Sequence, residues 1–217
     1  MVRRRISNNI KKYSPKYQPK LWNDDKNVQF PHNCYTYFLN KRSRKLAQQC
    51  KKRKCTAKTK LKPQPGHWAG LKQIKNKKRY NCRNMTRRVL ADNPYIYKTR
   101  KKRCKRGYYL GALAVHPNLT YHFYRRDNDG GWSHKDGGTK VKRHDSVGVL
   151  IVDPKTANRS YPKMFIDGIA VNYSDFCGYF CIPKESRKKF WKSGAPRKIR
   201  KKTRKVARRK IRKKNKF

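Results

Sequence analysis

The chain has 217 residues, with 62 lysines and arginines against 11 acids and a formal net charge of +51. That much uncompensated charge excludes a stable compact state without a counter-charge, and a polyphosphate is the natural one, which points to nucleic acid. At 35% hydrophobic residues the chain lies near disordered compositions, yet 14 Tyr, 8 Phe and 4 Trp exclude a purely disordered polymer, and no apolar run approaches the ~20 residues that span a bilayer.

Met1-Val2-Arg3-Arg4-Arg5 has no apolar stretch behind it and does not read as a secretory signal. The expectation is therefore a reducing compartment, with the seven Cys as thiols or metal ligands rather than disulfides. Residues 1–30 form a basic arm in which Tyr13, Tyr17 and Trp22 either stack on bases or dock on the arm's own core. Asn33 is placed to cap a helix over Cys34–Asn40, and the basic residues 41–60 continue it toward Pro63. Lys62–Gly70 is a Pro-Gly loop, and the basic stretch 76–104 is interrupted at Asn93-Pro94. After Gly107 the pattern changes to strands. Tyr108–Val115 is a short apolar strand, and Tyr121–Arg126 and Trp132–Lys135 flank a turn at Asp127–Gly131 as a hairpin. Val147–Val152 is predicted as a further strand closed by Asp153-Pro154, and Phe176–Cys181 as the last. Helices followed by strands give an α+β order.

The charge follows this division. Residues 107–183 hold 9 Lys and Arg against 7 acids, so nearly all the excess lies in residues 1–106 and 184–217. Three parts are expected: an arm (1–30), an α+β domain with a basic N-terminal half (31–183) and a Lys/Arg-rich tail (184–217), the extensions being disordered or ordered by a partner. The cations assigned to nucleic acid, DNA favoured over RNA, are Arg3, Arg4, Arg5, Lys101, Lys102, Arg103, Arg197, Lys198, Arg200, Lys201, Lys202, Arg204, Lys205, Arg208, Arg209, Lys210, Arg212, Lys213 and Lys214. Lys-rich segments deliver charge rather than a fixed hydrogen-bond pattern, so low base specificity is expected.

Catalytic chemistry has one candidate. A Cys at a helix N-terminus has its thiolate favoured by the helix dipole, and a nearby imidazole can take its proton. Cys34 meets the first condition, His122 could meet the second from the hairpin, and His134 on the paired strand could orient the ring. Each also has a structural reading, Cys34 as a core hydrophobe and the histidines as sheet residues bonded to backbone. Cys50, Cys55, Cys82 and Cys104 lack paired C-x2-C knuckles, so a four-thiolate zinc site is the weaker reading. Cys177 and Cys181 are expected on one face of a strand as packing residues, and Asp127 and Asp129 suit the turn better than calcium. No phosphate-cradling Gly-rich loop is present, His67 beside Trp68 could line a groove, and neither a cofactor nor a metal is expected.

Asn33-Cys34-Tyr35, followed by Tyr121-His122-Phe123-Tyr124-Arg125 and Gly131-Trp132-Ser133-His134-Lys135, resembles the NlpC-type and CHAP-type papain-like hydrolases. Those families cleave peptide or amide bonds. The resemblance implies a papain-like core, a helix-borne Cys followed by a small antiparallel sheet, with Cys34 as nucleophile, His122 as base and His134 as orienting residue. Residues 33–183 also resemble uncharacterised proteins of large DNA viruses and some bacteria. Charge and resemblance together set the expectation of a nucleic-acid-associated structural protein, virion-internal or capsid-associated and partnered by virion proteins, otherwise in nucleus or nucleoid, and not secreted. The alternative is an active cysteine peptidase or amidase tethered to a polyanion by its basic arms.

Overall fold

Asn33 caps helix α4 (Cys34–Phe38) as the sequence predicts: its side chain accepts from the Thr36 N–H at 3.1 Å, and Thr36 Oγ1 accepts from the Asn33 N–H at 2.9 Å. The computed structural model, which describes residues 7–59 and 61–184, departs from the expected continuation just beyond. Asn40 adopts φ +48° and the Lys41 N–H turns back to the Thr36 carbonyl at 2.8 Å, which closes the helix. A separate helix α5 (Arg44–Lys52) starts at the Ser43 cap. Three short helices precede these, α1 (Asn8–Tyr13), α2 (Lys20–Asn23) and α3 (Lys26–Gln29). Helix α6 (Cys82–Asp92) is capped by Asn81 and ends at Asn93-Pro94, as expected of a residue before proline.

The strands are β1 (Tyr97–Thr99), β2 (Tyr108–His116), β3 (Thr120–Arg126), β4 (Trp132–Lys135), β5 (Val141–Lys142), β6 (Ser160–Ile166), β7 (Ile169–Asn172) and β8 (Asp175–Pro183). Six of them form one antiparallel sheet in the order β1-β8-β2-β3-β4-β5, while β6 and β7 pair separately. The chain is thus α+β, with helices on one face of the sheet and the β6–β7 hairpin on the other. Alternation along β2 divides the core accordingly. Tyr109, Leu113 and Val115 join Cys34, Phe38, Met85 and Val89, whereas Leu110, Ala112 and Ala114 join Tyr161, Val171 and Tyr173. Gly111 is glycine because Phe38 lies against the strand; a Cβ there would stand 2.3 Å from the Phe38 ring.

Four expectations are corrected. Residues 147–152 form a turn with one isolated bridge, Leu150 to His144, rather than a strand: the Asp145 carboxylate accepts the N–H groups of Val147, Val149 and Asn158, leaving Val147, Val149 and Val152 exposed. The expected thiols are disulfides instead, Cys50–Cys55, Cys82–Cys177 and Cys104–Cys181, which also removes the four-thiolate arrangement. Only Cys34 keeps a free thiol. Cys177 and Cys181 do not share a face: a bulge opposite Leu113/Ala114, with Gly178 at φ +114°, puts Cys177 in the helix-side core and Cys181 in the other.

The described part of the arm docks on its own core. Trp22 is buried edge-on to Tyr37 at 5.0 Å, and Tyr17 lies under the Arg143 guanidinium at 3.8 Å. His32, unremarked in the sequence, joins this arm to α5. Its Nδ1–H donates to the Val28 carbonyl at 2.7 Å and Nε2 accepts from the Ser43 N–H at 2.8 Å, so the neutral ring is the bonded form. Burial lowers its pKa to about 4 from 6.5. The unfolded chain then takes up the proton first, so this stability is complete above pH 6.5 and is lost as pH falls to about 4. The slope is at most about 1.4 kcal/mol per pH unit. Unfolding midpoints measured between pH 7 and 4 should fall, and His32→Gln should flatten that fall.

Candidate functional site: a histidine–aspartate cluster and a basic surface

Strand alternation decides which predicted catalytic groups meet. On β3, Phe123 points toward α4 and packs in the core that holds Cys34, so its neighbour His122 points the other way. On β4, paired with β3 in the register Tyr124↔His134, Ser133 bonds Tyr37 of α4 at 2.8 Å while His134 faces His122. The structure therefore brings His122 and His134 together, Nε2 to Nδ1 at 2.8 Å, and leaves Cys34 on the opposite side of the sheet. The Cys34 thiol is buried, and burial pushes its pKa up to about 12.

The sequence reading missed the third member of the cluster. Asp136 follows β4 two residues after His134, a His-x-Asp spacing that was the available signal. Its Oδ1 lies 3.2 Å from His122 Nε2 and 3.5 Å from His134 Nδ1, without the angular geometry of a hydrogen bond, and Oδ2 lies 2.9 Å from the Lys142 ammonium. His134 Nε2 donates to the His144 carbonyl at 2.9 Å, which fixes its proton there and leaves Nδ1 as a lone pair. Burial holds His122 down to about 3 against the pull of Asp136. Burial would raise the Asp136 carboxyl, but His122, His134 and Lys142 outweigh it and hold it below the usual carboxylate range. The rings of Tyr124 and Tyr173 stand 4.8 and 5.1 Å from His122 and wall the cluster.

Lys135, the last residue of β4 and set between His134 and Asp136, is fully buried on the helix side. Its three donors are spent on the carbonyls of Gln29, Gly137 and Thr139 at 2.7–2.9 Å, which makes it a clamp between α3 and the loop after β4. His67 and Trp68 belong to the Pro-Gly loop, which α6 holds in place. Asp92 accepts from the N–H groups of Gly66 and Ala69, and Arg88 donates to the Pro65 and Lys72 carbonyls.

A second feature is the basic surface. Between Lys41 and Arg106 there are 26 Lys and Arg and one carboxylate, Asp92, which is buried against Tyr35. Arg44, Lys45, Lys51, Lys52, Arg53 and Lys54 on and after α5 are exposed, as are Lys101, Lys102 and Arg103 before β2. Lys102 pairs with Asp153. Arg3, Arg4, Arg5 and the predicted binding cations from Arg197 to Lys214 lie outside the described residues. Among the described residues, no helix is long and apolar enough to cross a membrane.

No protein-family model and no solved structure matches the chain. A curated relative does: it is 32% identical to insoluble matrix shell protein 1 of Ruditapes philippinarum over 175 residues, covering 80% of this chain and 94% of the relative. This overturns the expectation of a virion, nuclear or nucleoid protein that is not secreted, since the relative is a shell matrix component. The disulfides agree with the correction, because such bonds persist in oxidising, extracytoplasmic surroundings.

Proposed function

The chain belongs to the insoluble matrix shell protein 1 family, and from that premise we propose that it is a secreted, disulfide-bonded structural protein that binds polyanions in an extracellular matrix. One observation carries this reading: residues 41–106 hold 26 Lys and Arg against one carboxylate, the buried Asp92, and the carboxylates brought to them from elsewhere, Asp167 at Lys77 and Asp153 at Lys102, leave most of that charge unopposed. A surface of that kind is neutralised by a chain of closely spaced anions, with release of the counterions condensed on it. In a matrix the anion is an acidic polysaccharide. Nucleic acid, whose phosphates the same cations would hold, is the second ligand of the same chemistry.

Binding to a sulfated polysaccharide and to duplex DNA should weaken steeply with salt. If about ten phosphates are contacted, the log–log slope on DNA is near −9, and replacing Lys101 and Arg103 by Gln reduces it by about 2. Affinity that barely changes with salt would overturn the proposal. Tighter binding to DNA than to the polysaccharide at equal charge density would favour the nucleic-acid form of it.

A papain-like cysteine hydrolase is the second reading. It is supported by Cys34 as the first residue of a helix packed on β3 and β4, and by the His122–His134 contact. Against it stand the opposite faces of Cys34 and His122 and the neutral, buried thiol. A thiol-selective reagent should leave Cys34 unmodified in the folded protein; rapid labelling near pH 7 would restore the hydrolase.

A further inference from the structure

We propose that His122, His134 and Asp136 form a binding site for one zinc-class divalent cation, held between β3, β4 and the turn that follows. The three nearest donor atoms, His122 Nε2, His134 Nδ1 and Asp136 Oδ1, are 2.8, 3.2 and 3.5 Å apart. Atoms so spaced leave one point about 2 Å from each, which is the length of a zinc–nitrogen or zinc–carboxylate bond.

The surroundings are those of a ligand set. The His134 Nε2–H is anchored on the His144 carbonyl, so Nδ1 presents its lone pair to the site. The second oxygen of Asp136 is held by Lys142. Both are the outer-shell contacts that orient ligands in metal sites. Of the three buried side-chain oxygens among the described residues with no properly directed hydrogen bond, two lie here, Asp136 Oδ1 and the Tyr161 hydroxyl, the third being Thr86 Oγ1. Tyr161 belongs to the same wall: the Lys142 ammonium lies 5.5 Å over its ring, and it stands edge-on to Tyr173, which packs on His122. Buried polar atoms are rarely left without partners, and a cation with its fourth ligand would supply them here.

With no ion bound, the proton on His122 Nε2 points to the His134 lone pair. On binding, the neutral His122 ring changes tautomer: Nε2 gives up its proton, Nδ1 takes one up from solvent, the freed Nε2 pair forms the bond to the ion, and neither the ring's charge nor any oxidation state changes. Two imidazoles and one carboxylate select against calcium, which takes six to eight oxygens. The site therefore discriminates against calcium even where calcium is in excess. This inference does not depend on polyanion binding.

The test uses the full chain with its disulfides intact, treated with a chelator and titrated with zinc in excess calcium. One equivalent should bind, and the imidazole nitrogen resonances of His122 and His134 should move together. Asp136→Asn and His134→Gln should each weaken zinc binding at least 10-fold. Cobalt should give the visible absorption of a tetrahedral site in the unaltered protein only. Zinc that leaves both imidazoles unmoved, or binds the variants equally well, would overturn the proposal and leave the cluster as a hydrogen-bonded strut. The resonance measurement needs no variant, so a poorly folding substitution does not blunt it.

Discussion

Reduction of the folded protein should lower its stability more than any single side-chain change, because two of its disulfides close very long loops. Cys82–Cys177 spans 95 residues and Cys104–Cys181 spans 77, while Cys50–Cys55 spans only 5. A cross-link stabilises chiefly by restricting the unfolded chain, and each long one should contribute about 2–5 kcal/mol. Both bonds leave β8, one into each core, so losing them frees α6 and the entry to β2 together. Denaturant unfolding should therefore show a large loss for Cys82→Ser with Cys177→Ser and a much smaller one for Cys50→Ser with Cys55→Ser. Equal losses from the two pairs would refute the loop-closure account.

Arg125→Met should be the most damaging single core substitution, at about 3–5 kcal/mol. Arg125 is fully buried. Its guanidinium donates to Asp127 Oδ1 at 2.9 and 3.1 Å, to Asn40 Oδ1 at 3.0 Å and to the Tyr37 hydroxyl at 2.7 Å, and stacks on the Tyr37 ring at 3.9 Å. It also reaches the Lys16 carbonyl at 3.4 Å, so one side chain joins the arm, α4 and the β3–β4 turn. Replacing it leaves the buried Asp127 carboxylate, which burial already makes costly to ionise, with the longer Arg143 contact at 3.4 Å in place of its two Arg125 hydrogen bonds. A double-mutant cycle with Asp127→Asn checks this: the second substitution should recover part of the loss. Additive losses would mean that the cost comes from packing alone.

Elements governed by local chemistry were legible in the sequence. The Asn33 cap, the stop at Asn93-Pro94 and the β3–β4 hairpin all follow from residues within a few positions of one another. The His122–His134 contact was legible for the same reason, since a tight turn fixes the register between the strands. Pairing Cys34 with His122 failed because it required knowing which face of β3 meets α4, a tertiary matter that alternation within β3 does not settle. The Cys177/Cys181 error came from a bulge beside Gly178 that breaks the period of two. The 147–152 error came from Asp145, whose carboxylate gathers three backbone N–H groups into a loop that apolar composition alone reads as strand. Disulfide formation was misjudged from the N-terminus, and the pairing itself depends on contacts 77 and 95 residues apart.

The ends of the six-stranded sheet bear on how molecules of this protein can associate at high concentration. Its outermost strands are β1, three residues bonded to β8, and β5, two residues bonded to β4. Such short rims, carrying Lys98 and Lys142, offer little template for another chain to add as a new strand. Cross-β growth from the rims of this sheet is therefore disfavoured at high protein concentration. If the proposed polyanion binding holds, association would run through polyanion chains that bridge folded molecules, and concentrated salt, rather than a denaturant, would reverse it.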